Sequence, residues 1–103
     1  MEGREAYRLL LFVSGATPRS MRAVAAVRNL CDTRLPGAYR LDVIDAFLDP
    51  VLARDHQILA LPTLLRLSPG PTKMFVGDIS DPVRLAAGLG LSWRPVIAPG
   101  APS

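Results

Sequence analysis

The sequence predicts an α/β domain: a mixed four-stranded sheet with helices on both faces, in the order βαβαββα. Three observations carry this. Arg8-Leu9-Leu10-Leu11-Phe12-Val13 is an almost unbroken apolar run of strand length, the pattern of a strand buried on both faces. A capped amphipathic helix follows at once, giving the first half of a βαβ crossover, for which right-handed closure is strongly favoured. Further on, two strand-like runs flank Ser68-Pro69-Gly70-Pro71, turn chemistry that folds them into an antiparallel hairpin.

Each element can be justified in turn. Ser14-Gly15-Ala16 turns the chain, Thr17 is a good N-cap, and Pro18 sits at the first helical position, where proline is tolerated. Ser20, Val24, Val27 and Cys31 then repeat at helical spacing, with Met21 and Leu30 flanking the stripe and Arg22, Ala26 and Asn29 opposite. Thr33-Arg34-Leu35-Pro36-Gly37 closes the helix. Residues 38–45 read as a second strand, with Tyr39, Leu41 and Val43 alternating against Arg40 and Asp42. The connection has room for the helix, so the two strands pair in parallel. Asp49-Pro50 opens a short helix through about Gln57. Leu61-Pro62 leads into Thr63-Leu64-Leu65-Arg66-Leu67, a third strand, and residues 72–76 form the fourth. Gly77-Asp78 breaks it. Ser80-Asp81-Pro82 caps a last helix carrying Val83, Leu85, Ala86 and Leu89. Gly88 weakens that helix by roughly 1 kcal/mol relative to alanine, and Gly90 is a natural stop. Residues 1–91 form one domain and 92–103 read as a flexible tail.

Composition bounds the function. The chain has 103 residues, half of them apolar, enough for one modest core. No apolar segment approaches the roughly 18 residues of a membrane span. Met1-Glu2-Gly3-Arg4-Glu5 has no apolar targeting core, and one cysteine excludes an internal disulfide; a cytoplasmic protein is expected. The net charge is +3, and Lys73 is the sole lysine among twelve basic residues. The arginines are spread along the chain and no basic run alternates with aromatics, so nucleic-acid binding is not expected.

No catalytic constellation emerges. A redox site of the kind this topology can carry needs a thiolate at the start of the first helix, and Ala16-Thr17-Pro18-Arg19-Ser20 stands there instead. Cys31 lies on the apolar stripe and reads as core. His56, the only histidine, reads as a solvated residue. One Cys and one His at unrelated positions make no zinc motif, and no cofactor is expected. Ser14-Gly15-Ala16-Thr17 lacks the phosphate-loop pattern and reads as turn plus cap. Asp45, Asp49, Asp78 and Asp81 are cap and turn acids by position. Binding surfaces are the better class.

Strands in parallel, a hairpin and a closing helix resemble the thioredoxin-like arrangement, in which a proline preceding the third strand is usually cis; Leu61-Pro62 occupies that place. Val13-Ser14-Gly15-Ala16-Thr17-Pro18-Arg19-Ser20, Val43-Ile44-Asp45, Ile58-Leu59-Ala60-Leu61-Pro62-Thr63-Leu64 and Gly77-Asp78-Ile79-Ser80-Asp81 resemble the KaiB family over roughly residues 7–91. That resemblance implies a non-enzymatic regulator that binds the ATPase KaiC, with KaiA or a sensor histidine kinase as further partners. It also implies metamorphism: a thioredoxin-like monomer that binds KaiC exchanges with a tetramer of different C-terminal fold. On this likeness Arg22, Arg40, Asp42 and Arg66 are the expected partner-binding residues. Pro62, Pro69, Pro71, Gly88 and Gly90 are the expected fold-switch positions, Gly88 as a helix-breaker disfavouring the thioredoxin-like form. Local signals nevertheless favour that form as the major state. The alternative function is a cysteine-less thioredoxin-fold sensor or redox-related binding module.

Overall fold

β1 (Tyr7–Val13) lies inside a four-stranded sheet of order β2-β1-β3-β4. The computed structural model describes residues 7–77 and 79–91, so the expected tail at 92–103 falls outside the described residues. The unbroken apolar run of β1 is explained by cover on both faces. Leu9, Leu11 and Val13 pack with α1 (Pro18–Arg34) and α3 (Pro82–Leu89), while Leu10 and Phe12 face the short α2 (Pro50–Asp55).

β2 (Tyr39–Asp45) runs parallel to β1, from Tyr39 beside Tyr7 to Asp45 beside Val13. β3 (Thr63–Ser68) is antiparallel to β1 on its other side, and β4 (Lys73–Val76) closes the hairpin. The βαβαββα order therefore holds, with helices on both faces.

Caps begin the helices where the sequence places them. The Thr17 hydroxyl accepts from the Ser20 N–H at 3.2 Å, Asp49 accepts from the Leu52 N–H at 3.3 Å, and Asp81 accepts from the Val83 N–H at 3.0 Å. Each cap satisfies a helix-end N–H that has no intrahelical partner. Gly90 ends α3 at φ 79°, the left-handed conformation that glycine adopts without steric cost.

Several sequence expectations need correction. The buried stripe of α1 is Ser20, Ala23, Val27, Leu30 and Cys31. Ala23 bridges Ser20 and Val27 at spacings of three and four residues, which leaves Met21 57% exposed. Val43 is exposed on β2, an edge strand with a neighbour on one side only. Val83 lies on the outer side of α3, whose buried face is Leu85, Ala86 and Leu89. α2 stops at Asp55, short of Gln57, which takes φ 58° and cannot continue it. His56 is half-buried, its ring 5.8 Å from that of Phe12, and is not a fully solvated residue.

Leu61-Pro62 is cis, as the thioredoxin likeness implied, and Ser68-Pro69 and Gly70-Pro71 are cis as well. Gly88 has a packing role that its helix propensity does not reveal. A Cβ there would collide with the Phe75 ring, at 2.6 Å from Cδ2 and 2.9 Å from Cζ and closer still to Cε2.

Candidate partner-binding surface

At the C-terminal end of β1 the chain turns through Ser14 to Thr17 and enters α1. The Ser14 N–H donates to the buried Ser20 Oγ at 3.0 Å, and the Thr17 hydroxyl lies 3.0 Å from the same oxygen. These hydroxyls are engaged in holding the turn, which supports turn plus cap over a phosphate site.

The first two turns of α1 then present Arg19 and Arg22, both exposed and three residues apart on one helix flank. With Ala23, Pro62, Gly77, Ile79 and Ser80 they line a cleft of about 260 Å³. Three chain segments meet here: α1, the turn before β3 and the loop after β4. Buried Ala23, Pro62 and Ile79 give the cleft an apolar floor. No carboxylate lines it among the described residues. Arg19 and Arg22 put two guanidinium groups on its rim, which suit a carboxylate.

The expected site residues fall into separate places. Arg22 and Pro62 share this cleft. Arg40 and Asp42 lie on edge strand β2, with Arg40 Nε 3.5 Å and Arg8 Nη2 3.9 Å from Asp42 Oδ2. Arg40 stands beside Arg8, near the start of β1, whereas α1 begins beyond the end of that strand. The Arg40–Asp42 pair is therefore at the other end of the sheet from Arg22. Arg66 is opposite Leu9 on the α1 and α3 side, where Nη2 donates to the Pro71 carbonyl at 3.4 Å. A Cβ on Gly90 would lie 3.9 Å from Arg66 Nη1, so Arg66, Pro71 and Gly90 come together. Pro69 is exposed in the hairpin turn, and Gly88 lies under Phe75.

Arg19 is the cleft residue that the sequence reading passed over as a binding group. Its three-residue spacing from Arg22 beyond a capped helix start was the available signal. The Cys31 thiol is fully buried, and burial, followed by the Asp32 carboxylate, pushes its pKa from 9.0 to about 11. It is the opposite of an activated thiolate. Among the described residues no group of three or more His, Cys, Asp or Glu could hold a metal ion, and no helix is long and apolar enough to cross a membrane.

Comparison with known proteins bears on this geometry. The profile described as the KaiB domain matches residues 10–91. A circadian clock oscillator protein KaiB of Parasynechococcus marenigrum (strain WH8102) is 45% identical over 93 residues, covering 90% of this chain and 89% of the relative. Its counterpart from Synechococcus sp. (strain CC9311) is 42% identical over 97 residues, covering 94% and 82%. Among solved structures, the N-terminal domain of Synechococcus elongatus SasA matches with a TM-score of 0.70 at 27% identity, over 82% of this chain and 80% of that one. Mitochondrial thioredoxin 3 from Saccharomyces cerevisiae matches with a TM-score of 0.68 at 16% identity, over 85% and 80%, a likeness of fold alone.

Proposed function

Because this chain belongs to the KaiB family of circadian clock proteins, we propose that it is a non-enzymatic regulator that binds a KaiC-type ATPase and so modulates a circadian clock or a related signalling system. The observation that carries this reading is the cationic cleft of Arg19 and Arg22 beside Pro62. It stands where a thioredoxin needs its thiolate, and it offers recognition in place of redox chemistry. Arg22 is the central contact, pairing with an acidic group of the ATPase. Arg40, Asp42 and Arg66 serve further contacts, and their separation across the sheet gives the protein room for a second partner, a KaiA-type protein or a sensor histidine kinase. The likeness to the SasA domain supports competition for one docking site between two modules of the same shape.

The thioredoxin-like form described above is the binding-competent one and is monomeric; a tetramer belongs to the alternative state. Refolding between them involves the segment after Pro62, with Pro69, Pro71, Gly88 and Gly90 as its pivots. Titration calorimetry against a KaiC-type ATPase, with and without ATP, tests the reading. Arg22→Glu is expected to weaken binding by about 2–5 kcal/mol if the charge pair is buried in the complex. Equal affinities would remove Arg22 from the contact, and no binding of the wild-type chain would overturn the proposal.

A further inference from the structure

β4 (Lys73–Val76) ends the sheet, and among the described residues no strand pairs with its outer edge. Free edges present a row of backbone donors and acceptors, and natural sheets usually blunt or cover them. This one has a cleft on each face. On the α3 side Phe75, Ile79, Leu85 and Arg84 line a cleft of about 250 Å³. On the α2 side Met74, Leu59, Ile58 and Arg54 line one of about 800 Å³. Met74, Val76 and Leu59 are 47%, 55% and 96% exposed. Most residues lining each cleft are apolar, each cleft holds one arginine, and no carboxylate lines either of them among the described residues.

Successive residues of an extended chain point to opposite faces, so a strand laid along β4 would send neighbouring side chains into the two clefts. We propose that the outer edge of β4 docks an extended partner segment in which two successive apolar residues fill these clefts and adjoining acidic residues meet Arg54 and Arg84. Positions two apart share a face, which places each carboxylate beside the arginine of the cleft its apolar neighbour enters. Among the described residues the Arg84 side chain pairs with Asp81 alone, at 3.8 Å, and it remains 79% exposed, so it is available to a stronger pair.

Two other occupants fit less well. A second copy would bring its own Lys73-Met74-Phe75-Val76 to a rim already carrying Lys73, Arg54 and Arg84, setting like charges together. The chain's own continuation would have to follow α3, which packs on the same face as α1. With β2 and β4 at opposite edges of the sheet, a parallel strand outside β4 would close a left-handed crossover, which is rare. The surface adjoins the Arg22 cleft at Ile79, which lines both, but the two share no arginine, and docking at β4 does not depend on KaiC-type binding.

The probe is a fluorescein-labelled peptide, Glu-Glu-Leu-Val-Glu-Glu, acetylated and amidated at its ends, added to the full chain. Saturable anisotropy is expected, together with shifts of the Lys73–Val76 amide resonances. Replacing the glutamates by lysines, or N-methylating both Leu and Val, should weaken binding about tenfold or more. Arg54→Glu combined with Arg84→Glu should reverse the preference between the two charge forms. Arg22→Glu should leave the peptide affinity unchanged, which separates this surface from the ATPase contact. Unmoved Lys73–Val76 amides, equal binding of the lysine form, or a concentration-dependent dimer of the free protein that Val76→Pro abolishes would each overturn the proposal.

Discussion

Gly88→Ala sets two opposed effects against each other at one position. In the interior of α3, alanine gains roughly 1 kcal/mol over glycine from helix propensity. Propensity alone therefore predicts a more stable thioredoxin-like form. The packing predicts otherwise. The new Cβ would meet the Phe75 ring at 2.6 Å from Cδ2 and 2.9 Å from Cζ, whereas carbon atoms rest at about 3.5–4.0 Å. The ring would have to retreat by about 1 Å or more to reach that spacing. Phe75 cannot retreat freely, because its backbone pairs with Leu64 and its ring packs on the core containing Leu85 and Leu89. Overpacking of this kind costs about 1–3 kcal/mol. Gly88→Ala is thus expected to destabilise the fold by about 1 kcal/mol net, the difference of the two effects.

Phe75→Ala removes every colliding ring atom, so in that background Gly88→Ala should stabilise by about 1 kcal/mol. The double-mutant cycle then shows a coupling of about 2 kcal/mol. Urea unfolding followed by far-ultraviolet circular dichroism measures all four variants. If Gly88→Ala stabilises both backgrounds equally, Phe75 does not lie over Gly88 and the packing of β4 on α3 is wrong.

Other predictions follow from single contacts. Folded Cys31 holds its proton more tightly than the unfolded thiol, so its contribution is complete below about pH 9 and is lost as pH rises through about 11. Tyr39 acts in the same sense, because its hydrogen bond to Asp32 raises its pKa above 10.0; urea midpoints measured across this window should fall. Asp81→Ala removes the cap of α3 and should cost about 1 kcal/mol in thermal or urea unfolding. Ser20→Ala leaves the Ser14 N–H without its acceptor and should cost about 1–3 kcal/mol, while Ser20→Thr tests whether the hydroxyl alone suffices. Backbone chemical shifts of residues 72–76 should be those of a strand; helical shifts in a tetramer-sized particle would show the alternative fold to be the major state.

What the sequence determined was local. An apolar run with no polar alternation demands cover on both faces, and β1 receives it from α1 and α3 on one side and α2 on the other. Thr17-Pro18, Asp49-Pro50 and Asp81-Pro82 fixed the starts of α1, α2 and α3, because a side-chain acceptor beside a proline satisfies the first orphan N–H groups. Pro69-Gly70-Pro71 fixed the hairpin. Partners distant along the chain could not be read this way. Whether Val43 or Ile44 is covered depends on where β2 sits in the sheet, and an edge strand loses neighbours that its own pattern cannot report. Arg22, Pro62 and Ile79 line one cleft only because β3 returns antiparallel beside β1 and brings the turn before it to the start of α1. Arg66 and Gly90 meet for the same reason, at the other end of that strand. Gly88 shows the division most plainly. Its cost to the helix is intrinsic to glycine, whereas its value to the packing exists only once the Phe75 ring lies where a Cβ would stand.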